Sequence, residues 1–158
     1  MASPKAIKKV EMTTSSYITE CVRIIKFDAG HRIVHHESKC STLHGHEYRA
    51  EIFARAVRLD NLGRVIDFGV IKSKVGAWVD ENWDHNMLVW SQDPNLALIA
   101  KCEGAKKPFV TEFNTTAENL AAFLLQKANE LLANDGVTIT KVKLWETHNC
   151  YVEVSHSL

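Results

Sequence analysis

The 158-residue sequence has no excess of charge of either sign, 19 Lys and Arg standing against 19 Asp and Glu. That balance gives no basic tract for nucleic acid and no acidic tail. No apolar run has the length of a signal peptide or a membrane span, so a cytoplasmic protein without membrane or nucleic-acid partners is expected. The four cysteines, Cys21, Cys40, Cys102 and Cys150, fall at unrelated spacings and form no disulfide framework. Internal repeats and low-complexity segments are also lacking.

What is present is the material of one domain, long enough to bury a continuous core unaided. Residues 1 to 16 lack periodicity and read as a flexible leader, and the domain is expected to run from 17 to 158. Ile25, Phe27, Ala29 and His31 alternate along one strand; Tyr48, Ala50, Ile52 and Ala54 alternate along a second, with a polar loop between. Ile71, Val75, Trp78 and Val79 recur at helical spacing. A second helix is expected from Thr115, with Glu118 completing a capping box and Asn134-Asp135-Gly136 ending it. Residues 137–146 and 151–155 read as a closing hairpin. The order β-β-α-α-β-β predicts an α+β fold, an antiparallel sheet with helices on one face. Residues 91–114 show no pattern and read as a long loop.

The strongest local signal is Cys40-Ser-Thr-Leu-His44-Gly45-His46. Two histidines two apart on a strand share a face, and Gly45 removes bulk between them. His31, at the end of the preceding strand, lies beside them if the strands pair, giving the three nitrogens that leave zinc an open position. Surface or core histidines at a strand end are the bland reading. His35 and His36 could replace His31, and Cys40 could close a structural site as fourth ligand. Otherwise Cys40 reads as a thiol acidified by its surroundings and able to act as a base. Asp84-His85 can form a proton relay, although a histidine after a helix also has a dipole rationale. Glu146, at the rim of the sheet, is either a solvated carboxylate or an acceptor of two parallel N–H bonds from a guanidine-like heterocycle.

Phe27-Asp-Ala-Gly-His31-Arg32, Cys40-x-x-x-His44-Gly-His46, Gly63-x-Val-Ile-Asp67-Phe68, Asp84-His85, Thr116-Ala-Glu118-Asn119 and Trp145-Glu146-Thr147 occur together and in this order. In this the chain resembles the 6-pyruvoyl- and 6-carboxy-tetrahydropterin synthase family from Tyr17 to the C-terminus. The resemblance implies the tunnelling fold, whose sheets join into a barrel in a homohexamer made of two trimers, with active sites at subunit interfaces. It implies Zn²⁺ on His31, His44 and His46, Cys40 as general base with Asp84 and His85 as relay, and Glu146 as the pterin anchor. It implies further contacts from Thr116 to the pterin and from Arg32 to phosphate.

The substrate so implied is 7,8-dihydroneopterin triphosphate. Three residues between Cys40 and His44 resemble the 6-carboxy branch, a lyase of the queuosine pathway that releases acetaldehyde; the 6-pyruvoyl branch has a longer gap. A relative that replaces the cysteine with glutamate fits less well, because Cys40 is present. A zinc- and pterin-binding protein without activity is the alternative outside enzymes. The chain departs from its relatives at Gly30, where alanine or serine is frequent, at Leu88-Val89, and in the lengths of the leader and of the 91–113 segment.

Overall fold

The computed structural model describes residues 18–156. The expected leader at 1–16 lies outside the described residues. Strand β1 (Glu20–His31) pairs antiparallel with β2 (His44–Ala56), β2 with β5 (Val137–Trp145), and β5 with β6 (Tyr151–Ser155). These four strands are the two hairpins expected from the sequence, the first from its alternation and the second from its β-branched and aromatic residues. Two short strands, β3 (Asn86–Trp90) and β4 (Phe109–Thr111), extend the sheet beyond β1 with parallel pairing, giving the order β4-β3-β1-β2-β5-β6.

The segment 91–114, expected as a loop, is therefore partly ordered secondary structure: it carries the one-turn helix α3 (Leu96–Ile99) and β4. Elements of four and three residues are too short for a period of 3.6 or 2 to register in sequence. The first helical stretch is also composite. Helix α1 (Phe68–Ile71) passes through a π-turn, Lys72–Gly76, into α2 (Ala77–Asn82), and Ile71, Val75 and Val79 remain fully buried along it. Asp67 caps its start by accepting from Gly69 N at 2.7 Å.

Helix α4 (Ala117–Leu131) is capped by Thr116, which accepts from Asn119 N, one residue later than expected. Thr115 cannot cap because its hydroxyl is buried and donates to Arg32 O at 3.1 Å. The chain leaves the turn after α4 at Gly136, whose φ of 70° favours glycine.

One face of the sheet presents Ile25, Phe27, Tyr48, Ala50, Ile52, Ile139, Val142 and Leu144 to the buried stripes of the helices, chiefly Val75, Val79, Leu120, Leu124 and Ala128. Burial of this apolar surface is the main stabilising term. The opposite face carries Lys26, Glu47, Arg49, Glu51, Lys141, Lys143 and Glu153 in charged and cation–π ladders, together with the exposed Val22 and Ile24. No helix among the described residues is long and apolar enough to cross a membrane.

Candidate functional site: a histidine cluster at the end of the first hairpin

The β1–β2 register places His31 directly opposite His44, and His46 opposite Ala29 two pairs further in. All three project to the helix side of the sheet, the same side as Phe27 and Tyr48, which stack at 5.1 Å and floor the cluster. Gly30 and Gly45 pair on the other side. The imidazole centroids lie 4.7 Å (His31–His44), 5.3 Å (His31–His46) and 4.9 Å (His44–His46) apart. One ring nitrogen from each falls within 4.8 Å of the others.

Backbone carbonyls fix two of the tautomers. His31 Nδ1 donates to Thr115 O at 2.8 Å and His44 Nδ1 to Thr42 O at 2.7 Å, because a carbonyl can only accept. Each Nε2 is left as an acceptor, that of His31 with the Tyr48 hydroxyl at 3.3 Å, and a fixed Nδ1–H of this kind is what orients metal-ligating imidazoles. His46 Nε2 is buried and has no hydrogen-bond partner among the described residues. A buried ring nitrogen without a partner is costly unless an ion or ligand occupies the point it faces. Burial holds the His31 imidazolium well below the usual range, at about 4, and burial also lowers that of His46 despite the nearby Glu146. Neutral imidazole is the form that binds a metal. The cluster therefore fits a divalent cation held by three nitrogens.

Glu146 follows β5 by one residue, so alternation brings it to the inner face beside Tyr48. Its Oε1 lies 3.6 Å from His31 Nε2 and 4.0 Å from His46 Nε2. A cavity of about 450 Å³ opens next to it, lined among others by His36, Cys40, Thr116, Glu146 and Cys150. Cys40 is half-buried in the 3-10 turn Lys39–Ser41, and its carbonyl accepts from Ile33 N at 2.8 Å. Three of the expected site residues, Cys40, Thr116 and Glu146, thus share one cavity, and Glu146 joins it to the histidines.

Asp84 and His85 stand apart from that cavity. Asp84 Oδ2 accepts from His85 Nδ1 at 2.7 Å, and Oδ1 accepts from Asp28 N at 2.8 Å. Partial burial would raise the Asp84 carboxyl, but the Asp28 amide, His85 and Lys106 outweigh it and hold the group below its ordinary value. His85 lines a second cavity, of about 710 Å³, with Asp28, Gly30, Gly45, His46 and Lys106 among its other walls. Within one chain, Cys40 and His85 line different cavities. Arg32 is tied down: its Nε donates to the buried Asp93 at 2.8 Å and its Nη1 to Ser41 O at 3.3 Å.

Four supporting residues escaped the sequence reading. Thr115 and Thr42 act through main-chain carbonyls, which no residue type advertises. Asn114 makes paired bonds to Val34 N and O (3.0 and 2.8 Å), and Asp93 holds Arg32 from inside the segment read as a loop.

Residues 20–157 match a family model described as 6-pyruvoyl tetrahydropterin synthase. The chain belongs to the 6-pyruvoyl tetrahydropterin synthase family. Within it, a 6-carboxy-5,6,7,8-tetrahydropterin synthase of Rickettsia conorii is 44% identical over 137 residues, covering 85% of this chain and 99% of the relative. The synthase of the same name from Aquifex aeolicus is 31% identical over 150 residues, with 81% and 92% covered. Among solved structures, an uncharacterized protein from Wolinella succinogenes superposes with a TM-score of 0.79 at 21% identity, covering 90% of this chain and 100% of that one. The Caenorhabditis elegans 6-pyruvoyl tetrahydropterin synthase gives 0.67 at 23%, with 89% and 97% covered. Both share the family's tunnelling fold with this chain.

Proposed function

We propose that this chain is a lyase of the 6-carboxy-tetrahydropterin synthase type, converting 7,8-dihydroneopterin triphosphate to 6-carboxy-5,6,7,8-tetrahydropterin with loss of acetaldehyde and triphosphate. The observation that carries the reading is the position of Glu146, which stands beside three metal-competent histidines and lines the cavity that also holds Cys40. Relatives of that name at 42–44% identity support the branch, as does the three-residue gap between Cys40 and His44.

His31, His44 and His46 are the proposed ligands of Zn²⁺, which when bound supplies Lewis-acid polarisation of the substrate's side-chain hydroxyls. Glu146 accepts the paired N–H groups of the pterin and so fixes the ring in the cavity. Thr116, on the wall of the same cavity, contacts the ring edge. Cys40 takes a proton from the side-chain carbon, and His85, its Nδ1 held by Asp84, returns or accepts one at Nε2. Arg32 is assigned a positioning role, because its bonds to Asp93 and Ser41 anchor the turn that carries Cys40. A homohexamer in the cytoplasm serving queuosine synthesis completes the reading.

Product analysis by mass spectrometry, after zinc-loaded protein is incubated with the triphosphate, tests it. Acetaldehyde together with 6-carboxy-tetrahydropterin is the expected result. A 6-pyruvoyl product would move the chain to the other branch, and unchanged substrate would overturn the enzymatic reading. Glu146→Gln is expected to lose substrate binding while retaining one zinc per chain. Loss of the metal instead would make Glu146 a fourth ligand, a role its 3.6 Å approach to His31 Nε2 also permits.

A further inference from the structure

Asp84 and His85 are joined by a peptide unit whose two polar groups are both held. The His85 N–H donates to Asp28 O in β1 at 2.6 Å. The Asp84 C=O on the opposite edge of the same plane accepts from Lys106 Nζ at 2.8 Å. The orientation of that plane sets the backbone of His85, which adopts φ 53°. A left-handed conformation at a residue other than glycine costs on the order of 1 kcal/mol and persists only where the surroundings impose it. The Asp84 side chain is pinned as well, by the Asp28 amide. β1 thus grips the pair on one side, and the segment 101–108 grips it on the other.

That segment is itself fixed close by. Asn86 Nδ2 donates to Lys107 O at 3.2 Å and to Asn82 O at 2.8 Å, tying the segment to the end of α2. Gly104, Ala105 and Lys106 then form a wall of the cavity that His85 lines. We propose that Lys106 is a positioning residue for the Asp84–His85 relay, holding the peptide plane that points the free ring nitrogen of His85 into this cavity. The inference rests on the catalytic role proposed above for His85. The Lys106 cation also favours the ionised form of Asp84, the form that holds His85 Nδ1–H.

The test compares Lys106→Met, Lys106→Arg and Lys107→Met in the full-length, zinc-loaded protein, by steady-state kinetics with 7,8-dihydroneopterin triphosphate and by hydrogen exchange of peptides spanning residues 84–87. One exposed hydrogen bond lost from the relay predicts a fall of about fivefold in kcat with KM unchanged. Exchange at 84–87 should quicken in Lys106→Met. Arginine can still donate to a single carbonyl, so Lys106→Arg should restore both readouts. Lys107 makes its contact through its backbone carbonyl, so Lys107→Met should match the parent protein. Unchanged exchange in Lys106→Met would overturn the clamp, and faster exchange with unaltered kcat would overturn its coupling to catalysis. If the parent protein does not turn over this substrate, the function reading fails by itself, and the exchange data still decide whether the clamp exists.

Discussion

His31 combines complete burial with a basic side chain, and among the described residues no carboxylate stands at hydrogen-bonding distance, Glu146 being 3.6 Å away. Burial makes the neutral imidazole the native form, with the group lowered from 6.5 to about 4. The sign follows from proton counting. Between pH 6.5 and 4 the unfolded chain binds a proton at this position that the folded chain does not, so stability present above pH 6.5 drains away as the pH falls toward 4. For the metal-free protein the full loss is about 3 kcal/mol. Urea unfolding of chelator-treated protein at several pH values should show this slope, and His31→Gln should remove most of it, with His46 supplying the remainder. A second residue-scale expectation concerns Gly30, next to the last residue of β1. A Cβ there would come within 2.3 Å of Met87 Sδ, so the thioether fills the space a larger residue would need. Gly30→Ala should destabilise by about 1 kcal/mol, since a flexible methionine yields at the low end of overpacking costs. The penalty should vanish in a Met87→Ala background, which a double-mutant cycle by thermal denaturation measures directly.

At the scale of elements, the segment 91–114 is integral to the sheet, and two of its attachments show how. One is the β3–β4 pairing; the other is the ion pair between Asp93, whose side chain is 1% exposed, and Arg32, just after β1. Asp93 Oδ1 also accepts from Asn95 N at 2.8 Å, so one carboxylate holds both Arg32 and the entry to α3. Asp93→Ala would strand a partly buried guanidinium, and about 3 kcal/mol of stability should be lost, read as a lowered Tm. If Tm stays put, the segment is an appendage and the sheet ends functionally at β1. These attachments also explain the limits of the sequence reading. The hairpin β1–β2 was legible because strands of 12 and 13 residues alternate toward one buried face, and β5–β6 because β-branched and aromatic residues crowd 137–146 and 151–155. Helix α4 was legible from its stripe, although Thr115 and Thr116 look equally fit to cap it. What separates them is the distant Arg32 carbonyl that Thr115 satisfies. Likewise, His31, His44 and His46 could be grouped once a hairpin was assumed, because register alone brings them together. The carbonyls of Thr115 and Thr42 that set their tautomers, and the separation of Cys40 from His85, depend on tertiary placement and have no local signature.

At the scale of the whole molecule, the sheet formed by the described residues has two open edges, β4 and β6, and a face on which no described helix packs and Val22, Ile24 and Tyr151 are substantially exposed. Open edges and an uncovered face are liabilities that closure into a barrel removes. The site gives this geometry a functional side. Cys40 opens to the cavity shared with Glu146, whereas His85 opens to the other, against Gly30 and Gly45. If the thiol of one subunit works with the relay of its neighbour, Cys40→Ala and His85→Ala proteins should each be nearly inactive alone and regain activity when their subunits are mixed. Random assortment places an intact Cys40 opposite an intact His85 at about one site in four, because each partner is drawn independently from two equal pools. Recovery to about a quarter of the parent rate after co-refolding, with the oligomer verified by light scattering, is the expected outcome. No recovery from a properly assembled mixture would mean that thiol and relay act within one chain, and the two cavities would then have to merge through movement of the chain rather than through assembly.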